Sequence, residues 1–231
     1  MKNIAIIPAR SGSKGLKDKN IKSLNGKPLL AYSIDAAYAS QLFDEIMVST
    51  DSPEYAEIAK KYGANVPFLR SVELSNDTAG SWDVVKAVLE KYKELGHEFD
   101  TICLLQPTSP LRTEKDIKNA YQFFCDKQAD AVTSVCEVDH SPLWTMVLPE
   151  DCSLQEYNKS NCGNAPRQQL ATYHRFNGAV YIRKIEYTSV GVELISEKEY
   201  AFIMDRENSV DIYTELVFKM AEVMLVNRGL I

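Results

Sequence analysis

Short apolar runs alternate with segments of helical periodicity over the first 137 residues of the chain. Four runs have the length of a buried strand, at 3–8, 45–50, 101–106 and 130–138. A fifth stretch, at 65–68, predicts a short strand. Between the runs, apolar residues recur every three to four positions, which predicts helices over 28–40, 53–63, 81–95 and 114–127. This alternation predicts an α/β fold with a mainly parallel central sheet flanked by helices on both faces.

Three loops directly follow predicted strands, at 10–20, 49–52 and 106–112. The carboxyl ends of parallel strands meet at one edge of a sheet, and the ligands of such sheets bind beyond that edge. We therefore expect the three loops to converge on one rim and to form a binding site there.

The composition and the hydrophobic pattern of the sequence change at about residue 140. From there to about residue 200, apolar runs are shorter and Asn, Pro and Gln are more frequent. We interpret the chain as a single domain, 1–231, with an inserted segment over approximately 140–200, in which 178–184 is a strand that returns to the main sheet. A last strand, an acidic turn and a closing helix follow. The residues assigned to the buried face of that helix are Leu216, Met220, Val223 and Met224.

Charge and composition exclude several classes of partner. The chain has 26 Lys+Arg against 32 Asp+Glu, a net charge of −6, and an acidic protein repels nucleic acids and anionic membranes. No run reaches the roughly 18 apolar residues of a membrane span, and no signal-peptide pattern precedes the first strand. The five cysteines are odd in number and lack C-x-x-C spacing, which favours thiols in a reducing compartment. We expect a cytoplasmic protein that binds neither nucleic acid nor membrane.

The loop PARSGSKGLKDKN (8–20) concentrates positive charge on this acidic chain. It matches neither common phosphate-binding template, because G-x-G-x-x-G would need glycine at Lys14 and Lys17, and G-x-x-x-x-G-K-[ST] would need glycine at Ile21. Its glycines and serines nevertheless let backbone N–H groups turn towards an anion, beside the charges of Arg10 and Lys14. Two interpretations stay open, a phosphate-binding loop and a solvated lysine-rich surface loop.

Six motifs occur in a fixed order along the chain. They are IPARSGSKGLKDKNIKSLNGKPLLAYSI, DEIMVSTDS, FLRSVELSNDTAGS, LLQPTSPLRT, PRQQL and FNGAVYI. From residue 4 to about 215 the chain resembles the acylneuraminate cytidylyltransferases (CMP-sialic acid synthetases), and it is similar in outline to the 3-deoxy-manno-octulosonate cytidylyltransferases. The resemblance implies a Rossmann-like nucleotidyltransferase fold. It also implies the reaction of CTP with a nonulosonic acid, N-acetylneuraminate in the first place, to give the CMP-sugar acid and pyrophosphate with Mg²⁺ as cofactor.

The resemblance also implies site residues. The CTP contacts are Arg10, Ser13, Lys14, Asn20, Arg70 and Ser81, of which Arg10 and Lys14 are catalytic. The sugar contacts are Gln106, Thr108, Arg167, Gln168, Arg175, Asn177 and Tyr181. Plainer interpretations stay open beside these roles. Arg70 and Arg112 are then surface ion-pair partners, Asn20 and Asn177 are turn residues, and Tyr181 belongs to the core.

The metal-binding end of the family pattern is altered in this chain. Family members commonly end in an Asp-x-Asp pair, whereas SVDIYTEL keeps Asp211 and has Tyr213 in second place. A phenol is a weak ligand for a hard cation, but Mg²⁺ needs only one or two carboxylates when phosphate oxygens complete its shell. We assign Asp211 as the metal ligand and Glu215 as a candidate second ligand. The alternative for Asp211 is a cap of the closing helix.

A second departure is Trp144, at a position where some family members carry a cation. An indole cannot pair with a carboxylate, so this residue either stacks on the substrate or fills a subunit interface. The resemblance further implies a homodimer in which the inserted segment is the intersubunit element.

Three other functions compete with this one. The first is CMP activation of a different sugar acid, such as legionaminic, pseudaminic or 3-deoxy-manno-octulosonic acid. The second is a catalytically impaired nucleotide-binding subunit, which Tyr213 makes conceivable. The third, an NAD-dependent enzyme, is disfavoured by the failed glycine fingerprint.

Overall fold

The computed structural model describes residues 1–13, 15–76, 80–155, 157 and 170–229. Its strands are β1 Asn3–Pro8, β2 Ser23–Leu24, β3 Lys27–Pro28, β4 Glu45–Ser49, β5 Thr101–Leu104, β6 Ala131–Glu137, β7 His174–Thr188, β8 Gly191–Ile195 and β9 Glu199–Ile203. Its helices of eight or more residues are α1 Leu29–Ser40, α2 Pro53–Lys61, α3 Ser81–Glu94, α4 Glu114–Asp126 and α5 Glu215–Asn227.

The central sheet has the strand order β4-β1-β5-β7-β6-β9, with β8 paired to the far end of β7. Strand β1 is parallel to both neighbours, and Ala5 pairs with Ile46 and Cys103. Among the sheet strands that the structure describes, only β7 runs against the rest, antiparallel to β5, β6 and β8. The prediction of a mainly parallel sheet flanked by helices is therefore confirmed. The carboxyl ends of β1, β4, β5 and β6 share one rim, and β7 begins at that rim.

Both faces of the sheet are covered, which explains why its strands are continuous apolar runs. Residues of β1 alternate between the two sides: Ala5 and Ile7 face the layer of α1 and α4, whereas Ile4 and Ile6 face α3. Helices α2 and α4 begin at side-chain caps. Ser52 accepts from the backbone N–H of Tyr55 at the start of α2, and Thr113 does the same for α4. The rim loops therefore start from rigid elements.

Two sequence expectations about strands are changed by the structure. Residues 65–68 form no strand, because Asn65 makes only an isolated bridge to Met47 and the chain then bends away. Much of the segment 140–200 belongs to the main sheet, since β7, β8 and the start of β9 lie within it. The expected return of 178–184 to the sheet is confirmed as part of β7.

The closing helix α5 packs through a different face from the one predicted. Its buried residues are Phe218, Ala221 and Leu225. Leu216, Met220 and Val223 are 70%, 52% and 60% exposed, so their assignment to the core was wrong, while Met224 packs at the margin of the cluster. The helix is apolar on two opposite faces, and a periodicity argument alone cannot decide which of them meets the core.

The remaining sequence expectations concern cysteines and membranes. Among the described residues, Cys103, Cys125, Cys136 and Cys152 are free thiols, and Cys162 lies outside that part of the chain. None of the helices in the described ranges is both long and apolar enough to cross a bilayer.

Candidate active site

The three predicted rim loops converge as expected. The N–H and hydroxyl of Ser11 both donate to the Asp51 carboxylate, at 2.8 and 2.6 Å, and join the first loop to the second. Burial alone would raise the pKa of Asp51, but the Ser11 hydrogen bonds lower it below its usual value. The backbone N–H of Ile212 donates to the Thr108 carbonyl at 2.8 Å, which joins the third loop to the segment before α5.

A cleft of about 370 Å³ opens between these loops. The predicted site residues that line it are Arg10, Ser13, Asn20, Arg70, Ser81, Gln106 and Thr108. Five of the six nucleotide contacts and two of the sugar contacts inferred from sequence thus share one cavity. Lys14, Arg167 and Gln168 lie outside the described residues.

Two arginines form a cationic wall of the cleft. Arg70 donates from Nε to the Ser49 hydroxyl at 3.1 Å and from Nη2 to the Ser49 carbonyl, so its guanidinium is fixed at the end of β4. Burial lowers its pKa to about 10, which leaves it charged at neutral pH. Arg10 donates to the Ser75 carbonyl at 3.3 Å, and its charge lowers the pKa of Arg70 further. Both arginines line the same cleft.

Asn20 holds the basic loop in shape from below. Its side chain is 5% exposed, and Nδ2 donates to the Arg10 carbonyl at 3.0 Å. The left-handed turn of this loop falls on Asp18, with φ of 49°, rather than on Asn20. Asn20 is therefore a buried anchor beneath Arg10, and it lines the floor of the cleft.

Lys19 is a cleft residue that the sequence motifs did not assign to the site. Its Nζ donates to the Ile212 carbonyl at 2.8 Å, and the residue lines the cleft. Burial lowers the pKa of this ammonium, while the Asp211 carboxylate opposes that shift. No sequence signal separates Lys19 from Lys17, since the difference arises only when the loop folds against the segment before α5.

Gln106 also lines the cleft, and its side chain packs closely against a second segment of the polypeptide. A Cβ atom added to Gly178 would lie 2.6 Å from Gln106 Oε1, and Gly178 has φ of +75°. Glycine is thus required at this position both for its backbone conformation and for the space beside the amide. The Gln106 side chain lies directly over the start of β7.

Arg112 supports the Gln106 loop from inside the protein. The plainer interpretation of Arg112 as a surface ion-pair partner is wrong, because the residue is 3% exposed. Nη1 donates to the carbonyls of Gln106 and Ala179, at 3.3 and 2.8 Å, and Nη2 donates to the Ser33 hydroxyl. Burial lowers the Arg112 pKa to about 10. A buried charge that bonds to backbone carbonyls holds the Gln106 loop and strand β7 together.

Two predicted sugar contacts lie outside the cleft lining. Asn177 is 1% exposed, and its amide bonds within the protein, so the structure does not support a direct contact from this side chain. Tyr181 is half-buried and packs edge-to-face on Trp82, with the ring centroids 6.1 Å apart. Burial and the nearby Asp211 charge raise the pKa of the Tyr181 phenol. This tyrosine belongs in part to the core, as the plainer interpretation held.

Asp211 and Arg175 line a second groove, of about 550 Å³, on the far side of the segment before α5. Arg175 Nη2 donates to the Ser209 carbonyl at 3.3 Å. Asp211 does not cap α5, because Thr214 is the N-cap and accepts from the N–H of Val217. The capping alternative for Asp211 is therefore wrong.

The candidate second ligand and Trp144 are also placed by the structure. Glu215 pairs with Lys22 Nζ at 3.0 Å, so its carboxylate is engaged on the surface. Tyr213 is exposed and lines the second groove. Trp144 ends a 3₁₀ helix, Pro142–Trp144, and its buried Nε1 has no hydrogen-bond partner within the described ranges.

Comparisons with known proteins bear on this site. A family model described as "Cytidylyltransferase" matches residues 4–189. The chain is 40% identical over 217 residues to an N-acylneuraminate cytidylyltransferase of Streptococcus agalactiae, covering 93% of this chain and 51% of that protein. It is 34% identical over 234 residues to the CMP-N,N'-diacetyllegionaminic acid synthase of Legionella pneumophila, covering 97% of each. The chain therefore spans about half the length of the first relative and nearly all of the second.

One solved structure shares the fold over the whole chain. It is a CMP:2-keto-3-deoxy-manno-octonic acid synthetase complexed with CTP, with a TM-score of 0.71 and 16% identity. The match covers 99% of this chain and 100% of that chain.

The close packing of Gln106 against Gly178 can be tested by adding one methyl group at Gly178. We expect Gly178→Ala to lower the free energy of unfolding by about 2 kcal/mol or more, because left-handed strain alone costs about 1–2 kcal/mol and Gln106 must also move. Gly96→Ala is the matched control, since Gly96 has φ of +80° with no atom near its added Cβ. Urea unfolding measures both variants, and equal losses would contradict the close packing of Gln106 on Gly178.

Proposed function

Because the chain belongs to the cytidylyltransferase family, we propose that it transfers CMP from CTP to the anomeric hydroxyl of a nonulosonic acid, with N-acetylneuraminate as the first candidate. The observation that carries the proposal is the cleft itself. Its lining combines the cations of Arg10, Lys19 and Arg70 with the neutral hydrogen-bonding groups of Gln106 and Thr108. A polyanion and a polyhydroxylated sugar acid match these two kinds of group.

The cationic wall is suited to the triphosphate. Arginines bind phosphate oxygens with two N–H groups in a fixed plane, and Arg10 and Arg70 are both held by protein carbonyls. The ammonium of Lys19 adds a point charge beside them. Lys14, which the sequence assigns to the same loop, remains a predicted contact. Within an acidic protein, this wall confines positive charge to the place where the substrate carries negative charge.

The base is proposed to bind at the end of the cleft near Ser81. Ser81 is the first residue of α3, where backbone N–H groups are not used within the helix. A small apolar recess continues behind Arg70, lined in part by Phe68 and Val88. A flat base fits between such an apolar surface and the polar edge at Ser81.

The sugar acid is proposed to bind against the Gln106 wall, with its anomeric hydroxyl directed at the α-phosphorus. The hydroxyl oxygen forms a bond to phosphorus as the bond to pyrophosphate breaks, and the hydroxyl proton passes to solvent. In this step Arg10, Lys14 and Lys19 stabilise charge on the phosphate oxygens, and Gln106 and Thr108 hold the nucleophile in line. Arg175, Arg167 and Gln168 remain predicted sugar contacts.

The structure gives a limited fit for Mg²⁺. Asp211 is a half-buried carboxylate whose field reaches Lys19 in the cleft and Tyr181 beside it. The described residues contain no group of three or more His, Cys, Asp or Glu that could hold a metal ion. One carboxylate suits a metal that is shared with phosphate oxygens rather than a preformed protein site. When bound, the ion would neutralise charge on the triphosphate, and Asp211 would hold it.

Two alternative functions can be distinguished from this one by experiment. The similarity to the diacetyllegionaminate synthase, 34% identical over its whole length, favours a different sugar acid as an alternative substrate. A catalytically impaired nucleotide-binding subunit is the other alternative, because Tyr213 replaces the second metal-binding aspartate of the family pattern. A CTP-dependent reaction needs a compartment that holds nucleoside triphosphates, so we place the protein in the cytoplasm.

Pyrophosphate release from CTP tests the reaction directly. With Mg²⁺ and a panel of N-acetylneuraminic, legionaminic, pseudaminic and 3-deoxy-manno-octulosonic acids, we expect turnover that is highest with N-acetylneuraminate. Lys19→Met should reduce kcat/KM by about a hundredfold, since charge that faces the reacting phosphates is typically worth that much. Lys17→Met is the matched control, because Lys17 is an exposed lysine of the same loop. Tight CTP binding without turnover of any acid would instead identify the impaired subunit.

The metal role of Asp211 makes a separate prediction. Asp211→Asn keeps the size of the side chain and removes its charge, so the Mg²⁺ concentration for half-maximal rate should rise by about tenfold or more. Asp205→Asn removes a charge from an exposed neighbour and should leave the Mg²⁺ curve unchanged. A wild-type Mg²⁺ curve for Asp211→Asn would show that the metal is held elsewhere.

We also propose that the chain forms a homodimer and that α5 contributes to the interface. Leu216, Met220 and Val223 form an exposed apolar row along one face of this helix. Phe176 on β7 and Ile203 on β9 are further exposed apolar side chains. An uncovered surface of this kind is typical of a protein–protein contact. The predicted dimerisation role of the inserted segment remains a proposal beside it.

Met220→Glu tests this interface. Burying an unpaired carboxylate costs several kcal/mol, so the dissociation constant of the dimer should rise by about a hundredfold or more. Lys118→Glu introduces the same residue at an exposed position of α4 and should leave the constant unchanged. Sedimentation equilibrium measures both. A wild-type protein that is monomeric at micromolar concentration, or an unchanged constant in Met220→Glu, would contradict the proposal.

A further inference from the structure

Asn177 uses its whole side-chain amide inside the protein. Oδ1 accepts from the Ser134 hydroxyl and from the backbone N–H of Ala179, and Nδ2 donates to the Ser209 hydroxyl at 2.9 Å and to Met204 Sδ at 3.4 Å. Two acceptor and two donor positions are all that an amide offers. A side chain with no spare hydrogen-bonding capacity and 1% exposure is not built to contact a substrate.

We propose that Asn177 is a positioning residue that holds the Gln106 wall and the Asp211 segment in one fixed arrangement. The inference rests on the proposed function, since it assigns the sugar acid to the first element and the metal to the second. It differs from the sequence expectation, in which Asn177 contacts the sugar itself.

The first connection runs through the backbone of β7. The pairing of β6 with β7 shifts register between Thr133 and Val135, and Asn177 lies in the resulting irregularity. Ser134 Oγ accepts from the N–H of Val180 at 2.8 Å and donates to Asn177, so the Asn177 amide closes this bulge. The bulge directs the next residue, Gly178, towards the cleft at a φ of +75°.

Gly178 connects the bulge to Gln106, which is proposed to bind the sugar acid. The Gln106 amide packs on its bare Cα, with only 2.6 Å between Oε1 and the place of a Cβ. Ser109, in the same loop as Gln106, points its hydroxyl at the Asn177 carbonyl at 3.5 Å. The position of the Gln106 side chain therefore depends on the bulge that Asn177 holds.

The second connection runs through Ser209 to Asp211. Ser209 Oγ accepts from Asn177 and donates to the Asp205 carbonyl at 2.7 Å, which fixes the turn two residues before Asp211. The N–H of Ile212 then donates to the Thr108 carbonyl, so the same segment returns to the cleft. The Asn177 amide thus bonds both to Ser134 at the β6–β7 bulge and to Ser209 in the segment that leads to Asp211. Groups that orient a metal-binding residue in this way typically change metal affinity by about ten- to a hundredfold when removed.

Three variants separate this role from simpler ones. Asn177→Ala removes both connections, and Ser209→Ala removes the hydroxyl that joins Asn177 to the Asp211 segment. Asn3→Ala is the matched control, because Asn3 is a buried asparagine, 7% exposed, that bonds to Leu42 and Thr101. It lies at the amino end of β1, whereas the cleft lies at the carboxyl end. Urea unfolding measures the stability that each variant loses.

Two readouts are needed. Steady-state kinetics gives kcat, the KM for the sugar acid and the Mg²⁺ concentration for half-maximal rate. Isothermal titration calorimetry gives the affinity for CTP with and without Mg²⁺ and does not depend on turnover. We expect Asn177→Ala to raise both the sugar-acid KM and the Mg²⁺ requirement by about tenfold or more, and to lose most of the Mg²⁺-dependent gain in CTP affinity. Ser209→Ala should lose that gain while it keeps a sugar-acid KM near wild type.

Other results would overturn the proposal. A higher sugar-acid KM with a normal Mg²⁺ dependence in Asn177→Ala would make Asn177 a direct sugar contact. Equal kinetic losses in Asn177→Ala and Asn3→Ala would reduce its role to general stability. If Asn177→Ala does not fold, an unchanged Mg²⁺ response in Ser209→Ala still contradicts the proposal. Absence of wild-type turnover with every acid would instead reject the proposed function, and the calorimetric comparison would still decide the role of Asn177.

Discussion

Strand β7 runs against β5 and β6, so its first residues lie at the rim where those two strands end. A parallel strand in that place would have brought its last residues to the rim and its first residues to the opposite edge of the sheet. The reversal needs no crossover helix, because β7 enters the sheet at the end where β6 leaves it. It places Gly178 beneath Gln106 and Asn177 beside Ser209. The packing of Gln106 at the cleft depends on this one antiparallel strand.

Positive charge at the cleft is maintained against the cost of burial. The charged groups of Arg70 and Lys19 are both partly removed from water, and this burial lowers the pKa of each. Arg112 is buried completely and bonds only to carbonyl and hydroxyl oxygens in the hydrogen bonds described. Such groups hold their orientation before a ligand arrives, so little reorganisation accompanies binding. In this way a protein with a net charge of −6 presents the cations of Arg10, Lys19 and Arg70 to one cleft.

Much of the fold could be predicted from the sequence, because buried strands and amphipathic helices leave clear periodic patterns. Strands β1, β4, β5 and β6 and helices α1 to α4 lie where those patterns place them. The failures have physical causes. Helix α5 is apolar on two faces, and only tertiary packing selects Phe218 over Leu216. The lining of the cleft followed from motifs, whereas the burial of Lys19, Arg112 and Asn177 depends on contacts between distant segments and leaves no local pattern.

The opening loop and the segment before α5 meet although they lie near opposite ends of the chain. Lys19 bonds to the carbonyl of Ile212, and Lys22 pairs with Glu215, each across 193 residues. Gly15 also lies against the backbone of Tyr213, whose carbonyl oxygen would be 3.1 Å from an added Cβ. Contacts of such long range form late in folding, because the entropy of closing the loop must be overcome first. During synthesis on the ribosome, Lys19 and Lys22 therefore lack these two partners until 193 further residues have been added. A nascent chain that stops before Ile212 therefore carries the motif without the cleft.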